Sequence, residues 1–163
     1  GLYEELFERM RTELPPFFDP EIYGRSTLEN SSYIVSSANP DPELAGRGFV
    51  GRLSGAAAEA ITLCLRMFLG DRLFCLDSGE LTFAIEPALP DWLFREDGTL
   101  SFRYLGCRFI YINRSRRNIY GPDSARQARI SCLGQEIPAA CLPYGLACQL
   151  REKKLEELTV IFE

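Results

Sequence analysis

The sequence predicts a mainly β protein with N-terminal helices, in which a helical segment over residues 1–70 precedes a β-sandwich over residues 71–163. Two observations lead to this prediction. Apolar residues recur with a helical period mainly in the first 70 residues and near 144–154, whereas from residue 80 they alternate with the two-residue period of strands. Glycine-containing pairs separate the alternating segments, as the tight turns of antiparallel hairpins require.

The first helix is predicted over residues 2–13. Leu2, Leu6 and Met10 recur at a spacing of four, which places them on one helix face. The Pro15-Pro16 pair ends this helix, because proline lacks the amide hydrogen that a helix interior needs. The chain then runs to residue 53 without a clean period and with many Pro, Gly, Asn and Ser residues. A loop of this length indicates a functional or covering role.

A second helix is predicted over residues 55–69, with Ser54 as its N-cap and Gly70 at its end. A serine hydroxyl at the N-cap accepts a hydrogen bond from a free amide of the first turn. The alanines that follow favour helix strongly. From Ile61 to Leu69 the helix is apolar on most sides, which is typical of a helix buried against more than one neighbour.

Strands are predicted in the alternating segments LTFAIEP, TLSFRYL, RFIYIN and LTVIF. Leu105-Gly106 predicts a tight hairpin turn between two of them. RISCLGQEI predicts another hairpin, with its turn at Leu133-Gly134 or at Gly134-Gln135. Before the closing strand, YGLACQLREKKLEE predicts a short amphipathic helix. The segment from 71 onward is therefore expected to form a β-sandwich with one helical insertion.

Charge and composition exclude several classes of function. The net charge is −5, and a general binder of nucleic acid or of a membrane surface needs a basic face. No apolar run reaches the length of a transmembrane helix. The chain contains no histidine, which removes Ser-His-Asp and Cys-His catalysis. Acid–base chemistry would have to use carboxylates, Lys, Tyr or Cys.

Six cysteines are present, and none forms a C-x-x-C pair. Without histidine, a zinc site would need thiolates from across the whole chain, so we expect no metal. Several cysteines lie in apolar periodic segments such as ITLCLRMF, which favours buried, reduced thiols over a disulfide framework. Reduced thiols predict a cytoplasmic protein, and the acidic amphipathic N-terminus is unlike a secretory signal.

The most informative stretch is GRSTLENSSYIVSSANPDPELAGRGFVGRLSG at 24–55, read with ELTFAIEPALPDWLF at 80–94. In this order the chain resembles the C-terminal end of glycoside hydrolase family 94, the inverting phosphorylases of the cellobiose phosphorylase-like and β-1,2-oligoglucan phosphorylase-like types. The amino-acid sequence of the first stretch is most similar to the β-1,2-oligoglucan phosphorylase-like type. The resemblance extends from about Asp19 to Phe162 and implies the last helices of an (α/α)6-barrel-type region followed by a jelly-roll-like β-sandwich. It also implies that the chain is the tail of a much larger enzyme, in which Trp92 and the neighbouring prolines pack the sandwich against the barrel. The preferred alternative for Trp92 is a structural corner.

The resemblance implies that Ser54, Gly55 and Arg52 bind phosphate in the full-length enzyme. The physical reason is general, since free amides and the positive end of a helix dipole attract anions and glycine permits close approach. The alternative is that Ser54 only caps the helix and that the arginine is a surface residue. Glu29 matches a family glutamate at the barrel mouth and is the candidate sugar contact. The alternative is a loop glutamate that hydrogen-bonds backbone.

The resemblance implies phosphorolysis of β-glucosides to a sugar 1-phosphate, with inorganic phosphate as co-substrate and no cofactor. In the family the aspartic acid that protonates the leaving oxygen lies far upstream, so we assign no catalytic residue and expect no activity from this chain alone. Expected partners are a β-linked glucoside or oligosaccharide, phosphate, and a barrel-domain partner or further copies of the chain. Nucleic acid and membrane are not expected. Two alternatives stay open: a stand-alone carbohydrate-binding or structural β-sandwich, and a scaffold that completes a separately encoded partner.

Overall fold

The computed structural model describes residues 2–13, 21, 33–35, 38–45, 48–49, 54–137 and 141–163. This part of the chain is mainly β, with two sheets of three or more strands, one short strand pair and a few helices, as the sequence predicts. The chain forms two compact units, residues 1–63 and 64–163.

The first unit contains helix α1, Tyr3–Glu13, which confirms the helix predicted over residues 2–13. Phe7 and Met10 are its buried side chains, each 2% exposed. Leu2, which was expected on the apolar face, is 76% exposed. The two buried residues, Phe7 and Met10, are three positions apart, whereas the predicted face was spaced by four from Leu2. Residues three or four apart lie on the same side of a helix.

A short strand pair lies where the sequence predicts only loop. Strand β1 (Tyr33–Ile34) pairs antiparallel with strand β2 (Gly48–Phe49). Between them, the Asp41 carboxylate accepts a hydrogen bond from the Glu43 amide at 3.0 Å and caps a 3-10 turn over Pro42–Leu44. The proline-rich NPDPE sequence is thus a capped turn, because an aspartate can bond to the backbone two residues ahead.

Helix α2, Ser54–Leu69, confirms the second predicted helix. Near its end Met67 and Leu69 are buried, at 3% and 1% exposed. Ile61, in contrast, is 62% exposed, and Cys64 is also exposed. The sequence predicts burial on several sides, and the described side chains of α2 are buried only toward its C-terminal end.

Eight strands and one helix follow α2 in the second unit. They are β3 (Phe74–Asp77), β4 (Glu80–Ala84), β5 (Thr99–Tyr104), β6 (Cys107–Asn113), β7 (Gln127–Cys132), β8 (Gln135–Ile137), β9 (Cys141–Leu142), α3 (Tyr144–Arg151) and β10 (Glu157–Phe162). One sheet has the order β5–β6–β10–β7–β8. Its two hairpins are antiparallel, and β10 lies between them, parallel to β6 and antiparallel to β7.

The second sheet has the order β3–β4–β9 and is antiparallel throughout. Strand β9 has only two residues and joins through Leu142, which lies opposite Phe83. Helix α3 lies against β4 and β9. Its buried side chains are Leu146, Ala147 and Leu150. This confirms the predicted amphipathic helix, whereas β3 and β9 were not predicted.

The two sheets share one aromatic core. In β6 every second residue from Cys107 to Asn113 is buried, as expected for a strand with one face against a core. From the other sheet, the Phe83 ring centroid lies 6.3 Å from that of Phe109 and 6.0 Å from that of Tyr104. Aromatic rings at these separations bury large apolar areas and favour tilted or offset contacts.

The PALPDWLF segment forms a fixed corner between β4 and β5. Asp91–Leu93 is a 3-10 turn in which Trp92 is 37% exposed. The Asp91 amide donates to the side-chain oxygen of Asn118 at 3.0 Å. The Ile119 amide donates to the Leu89 carbonyl at 2.7 Å. The segment after β6 therefore holds this corner through Asp91 and Leu89.

Three hairpins turn on a residue followed by glycine, and both central residues have positive φ. The pairs are Ser78-Gly79 (51° and 87°), Leu105-Gly106 (48° and 84°) and Leu133-Gly134 (49° and 73°). Positive φ at both positions is the geometry of the hairpin turn that matches strand twist. The turn predicted at Leu105-Gly106 is confirmed, and of the two alternatives in RISCLGQEI the structure has Leu133-Gly134.

We expect Leu133→Asn to raise the free energy of unfolding by about 1 kcal/mol. Leucine is strained at a φ of 49°, whereas asparagine adopts this conformation readily. Leu133 is 66% exposed, so its replacement removes little buried area. Urea unfolding measures the difference. Leu76→Asn is the matched control, because Leu76 is 75% exposed but lies on a strand. A less stable Leu133→Asn variant would contradict the prediction.

Candidate functional site

The residues predicted to bind phosphate lie at the beginning of α2. Ser54 and Gly55 are the first two residues of the helix. Ser54, predicted as the N-cap, is thus assigned one position inside the helix, a difference within the usual uncertainty of a helix boundary. Arg52 and the sugar-contact candidate Glu29 lie outside the described residues. Of these four residues, the structure therefore establishes only the backbone position of the first two.

The last turn of α2 belongs to the second unit, and hydrogen bonds within that unit close this end of the helix. The last four carbonyls of a helix have no partner within the helix and need one elsewhere. All four have a partner here. The bonds are Gly70 N to Arg66 O at 3.0 Å, Ala88 N to Met67 O at 2.9 Å, Tyr111 Oη to Phe68 O at 2.6 Å, and Glu86 N to Leu69 O at 2.8 Å. The sequence predicted only that Gly70 ends the helix.

Asn113 organises the segment after β6. It is 1% exposed, and its side-chain amide donates to the Arg117 carbonyl at 2.7 Å. Its side-chain oxygen accepts from the Ser115 hydroxyl at 3.2 Å and from the Arg116 amide at 3.1 Å. Each polar group of this buried amide is therefore satisfied, as the cost of burying an unpaired polar group requires. Sequence reasoning missed Asn113, because a strand-terminal asparagine carries no signal of burial.

Three arginines follow Asn113, and their side chains are tied to neighbouring segments. Their contacts are Arg114 Nη1 to Glu163 Oε1 at 3.1 Å, Arg116 Nη1 to Arg95 O at 2.7 Å, and Arg117 Nη1 to Asp123 O at 3.3 Å. All three residues are exposed. The basic cluster lies in an exposed turn, and its bonds to carbonyls and a carboxylate make it part of the loop structure.

The described carboxylates offer no candidate for a general acid. Asn113 is the one buried polar or charged residue among the described residues. A carboxyl group needs burial or a like charge to raise its pKa toward neutrality. The pKa of Asp97 is shifted in the opposite direction. It is lowered by hydrogen bonds that the carboxylate accepts from the Thr99 hydroxyl at 2.6 Å and from the Thr99 amide at 2.9 Å. Within the described ranges, no group of three or more His, Cys, Asp or Glu residues could hold a metal ion.

The six cysteines are all free thiols in the structure. Cys107 and Cys132 are buried on the core side of the five-stranded sheet. Burial is the main cause that raises the pKa of Cys107 to about 11, with smaller contributions from Cys132 and Glu157. Because the thiolate is the reactive form, this site is chemically inert at neutral pH.

We expect Cys107 to be alkylated far more slowly than Cys148 in the native protein at pH 8. With a pKa of about 11, only about a thousandth of the Cys107 thiol is ionised at that pH, and the side chain is also fully buried. Peptide mass spectrometry during iodoacetamide treatment measures the rates. Unfolding in denaturant should release six reactive thiols. Equal native rates for the two cysteines, or fewer than four free thiols after unfolding, would contradict this expectation.

Comparison with protein-family models and with curated protein sequences gives no match for this chain. Among the described helices, none is long and apolar enough to cross a membrane. The functional assignment therefore depends on the residues themselves and on their order along the chain.

Proposed function

We propose that this chain is the C-terminal part of a carbohydrate phosphorylase that resembles glycoside hydrolase family 94. The parent reaction transfers the glucosyl group of a β-linked glucoside to inorganic phosphate and releases a sugar 1-phosphate. One observation carries the proposal: the 24–55 motif, helix α2 and a two-sheet β unit follow one another in the order that the family resemblance implies.

In this proposal the chain binds substrates and does not supply the acid. The free amides of the first turn of α2, with Ser54 and Gly55, hold the phosphate oxygens, and Arg52 offsets their charge. Glu29 accepts hydrogen bonds from sugar hydroxyls. In an inverting reaction the nucleophile attacks the face of the sugar opposite the leaving oxygen, while an acid protonates that oxygen. No buried carboxylate lies among the described residues, which supports placing the acid in another part of the parent enzyme.

The exposed apolar side chains support a protein partner for the helical region. Ile61 of α2 is 62% exposed and Leu2 is 76% exposed. Covering a side chain of this size stabilises an assembly by about 1.5–3 kcal/mol. In the proposed enzyme the neighbouring helices of a barrel cover α2, or a second copy of this chain does so. The free thiols support a cytoplasmic location.

Amide chemical shifts measured during titration with inorganic phosphate test the binding role. We expect shifts centred on Gly55 and Ala56, and a several-fold weaker response in Ser54→Ala. Ser101→Ala is the matched control, since Ser101 lies exposed on β5 and outside the proposed site. Sodium chloride at equal ionic strength should leave these amides unchanged. Shifts confined to other regions, or an equal response to chloride, would remove the support for a phosphate site.

We expect the purified chain to produce no sugar 1-phosphate from a β-1,2-glucan and inorganic phosphate. The chain has no histidine, and the described residues provide no buried acid. Chromatographic detection of the sugar phosphate measures the reaction. Turnover that a single carboxylate substitution within this chain abolishes would show that the acid is present here, and the proposed division of roles would be wrong.

A further inference from the structure

Tyr111 lies in the middle of β6 and contacts three other elements of the second unit. Its ring meets that of Phe102 on β5 at 5.2 Å and that of Phe162 on β10 at 5.3 Å, both edge-on. Its hydroxyl donates to the carbonyl of Phe68, in the last turn of α2, at 2.6 Å. Tyr111 is 0% exposed, so one fully buried side chain joins two strands to the end of a helix.

The hydrogen bond from the Tyr111 hydroxyl is buried, so no water molecule can take over the role of its acceptor if the bond breaks. A buried donor that loses its partner keeps the full cost of its desolvation, which makes such a bond expensive to break. Burial also raises the pKa of Tyr111 well above the usual tyrosine value, so the hydroxyl keeps its proton and remains a donor. The acceptor is held from its own side, because the Phe68 ring meets the Phe102 ring at 5.0 Å.

We propose that Tyr111 is a positioning residue that fixes the last turn of helix α2 to strand β6, so that this turn cannot leave the sheet without breaking the buried bond. The helix runs without a break from Ser54 to Leu69. In the proposed phosphorylase its first turn binds phosphate, and this consequence rests on the proposed function. Tyr111 itself touches neither phosphate nor sugar.

Native-state hydrogen exchange of Tyr111→Phe tests the proposal without any ligand. We expect the amides of Cys64–Leu69 to exchange about tenfold faster than in the wild type, the change that corresponds to one lost hydrogen bond. Amides of the edge strand β8, which open without breaking this bond, should keep their rates. Tyr104→Phe is the matched control, because Tyr104 lies in the same aromatic core, 6.0 Å from Phe83, and bonds to no helix carbonyl among the described contacts.

Two results would overturn the proposal. In one, Tyr111→Phe leaves the α2 amides at their wild-type rates. In the other, the α2 and β8 amides accelerate equally, which indicates a general loss of stability. If Tyr111→Phe does not fold, exchange in the wild type under increasing denaturant decides the question. The α2 amides must then open together with those of β10, and an α2 that opens at much lower denaturant contradicts the coupling.

The exchange experiment uses no ligand, so its outcome is separate from that of the phosphate titration of the wild type. If the wild type shows no phosphate response at all, the phosphate site fails, and the exchange rates alone decide the role of Tyr111.

Discussion

Replacing Phe109 with alanine is expected to lower the free energy of unfolding of the β unit by about 3–5 kcal/mol. Phe109 is 0% exposed, and its ring lies 5.1 Å from that of Phe102 and 6.3 Å from that of Phe83. Removing it deletes contacts within one sheet and between the two sheets, and it leaves a cavity that rigid neighbours fill only partly. A loss of this size is a large fraction of the stability of an ordinary domain.

Urea unfolding followed by circular dichroism measures the effect of Phe109→Ala. Leu76→Ala is the matched control, because Leu76 is 75% exposed and its truncation removes little buried area. We expect the control to stay within about 0.5 kcal/mol of the wild type. Equal effects of the two substitutions would mean that Phe109 does not lie at the contact between the sheets.

Gly98→Ala is expected to destabilise the protein by at least about 2 kcal/mol. Gly98 has a φ of +80°, and an added Cβ would lie 2.8 Å from the backbone oxygen of Asn113. The backbone there is fixed on both sides, since Gly98 N donates to Arg95 O at 2.8 Å and Asn113 N donates to Gly98 O at 2.9 Å. The clash can be relieved only by moving backbone that these bonds hold.

Gly106→Ala separates the clash from the conformational strain. Gly106 has a φ of +84°, but an added Cβ there meets no atom within 4 Å. This variant should therefore show only the cost of the left-handed backbone, about 1–2 kcal/mol. Thermal or urea unfolding of both variants measures the difference. A Gly98→Ala variant as stable as Gly106→Ala would contradict the close approach to Asn113.

Local patterns predicted much of the β unit. The alternation in RFIYIN predicts β6 because one face of that strand meets the core and the other meets solvent. Glycine after Leu105 and Leu133 predicts two turns because few other residues accept positive φ. The strand β9 was missed because it has two residues, too few for any period. The parallel pairing of β6 with β10 was missed because no turn connects them, and pairing between distant segments leaves no local mark.

The candidate site was predictable only in part. Helix propensity and a plausible cap predict that a helix begins near Ser54, and the structure has one there. Phosphate binding by that turn comes from the family resemblance, because the first turn of any helix offers the same free amides. The hydrogen bond from Tyr111 to Phe68 could not be predicted, because it joins residues 43 positions apart. The alternating pattern of the strand indicates only that Tyr111 packs in the core and says nothing of a partner for its hydroxyl.

The central place of β10 has a consequence during protein synthesis. The hairpins β5–β6 and β7–β8 leave the ribosome before β10 and can form from neighbouring residues, but the gap between them stays open until β10 arrives. Until then β6 and β7 expose backbone donors and acceptors that could pair with strands of another chain. Completion of the sheet thus waits for the residues synthesised after α3, and we expect the open edges of β6 and β7 to favour pairing with other chains until then.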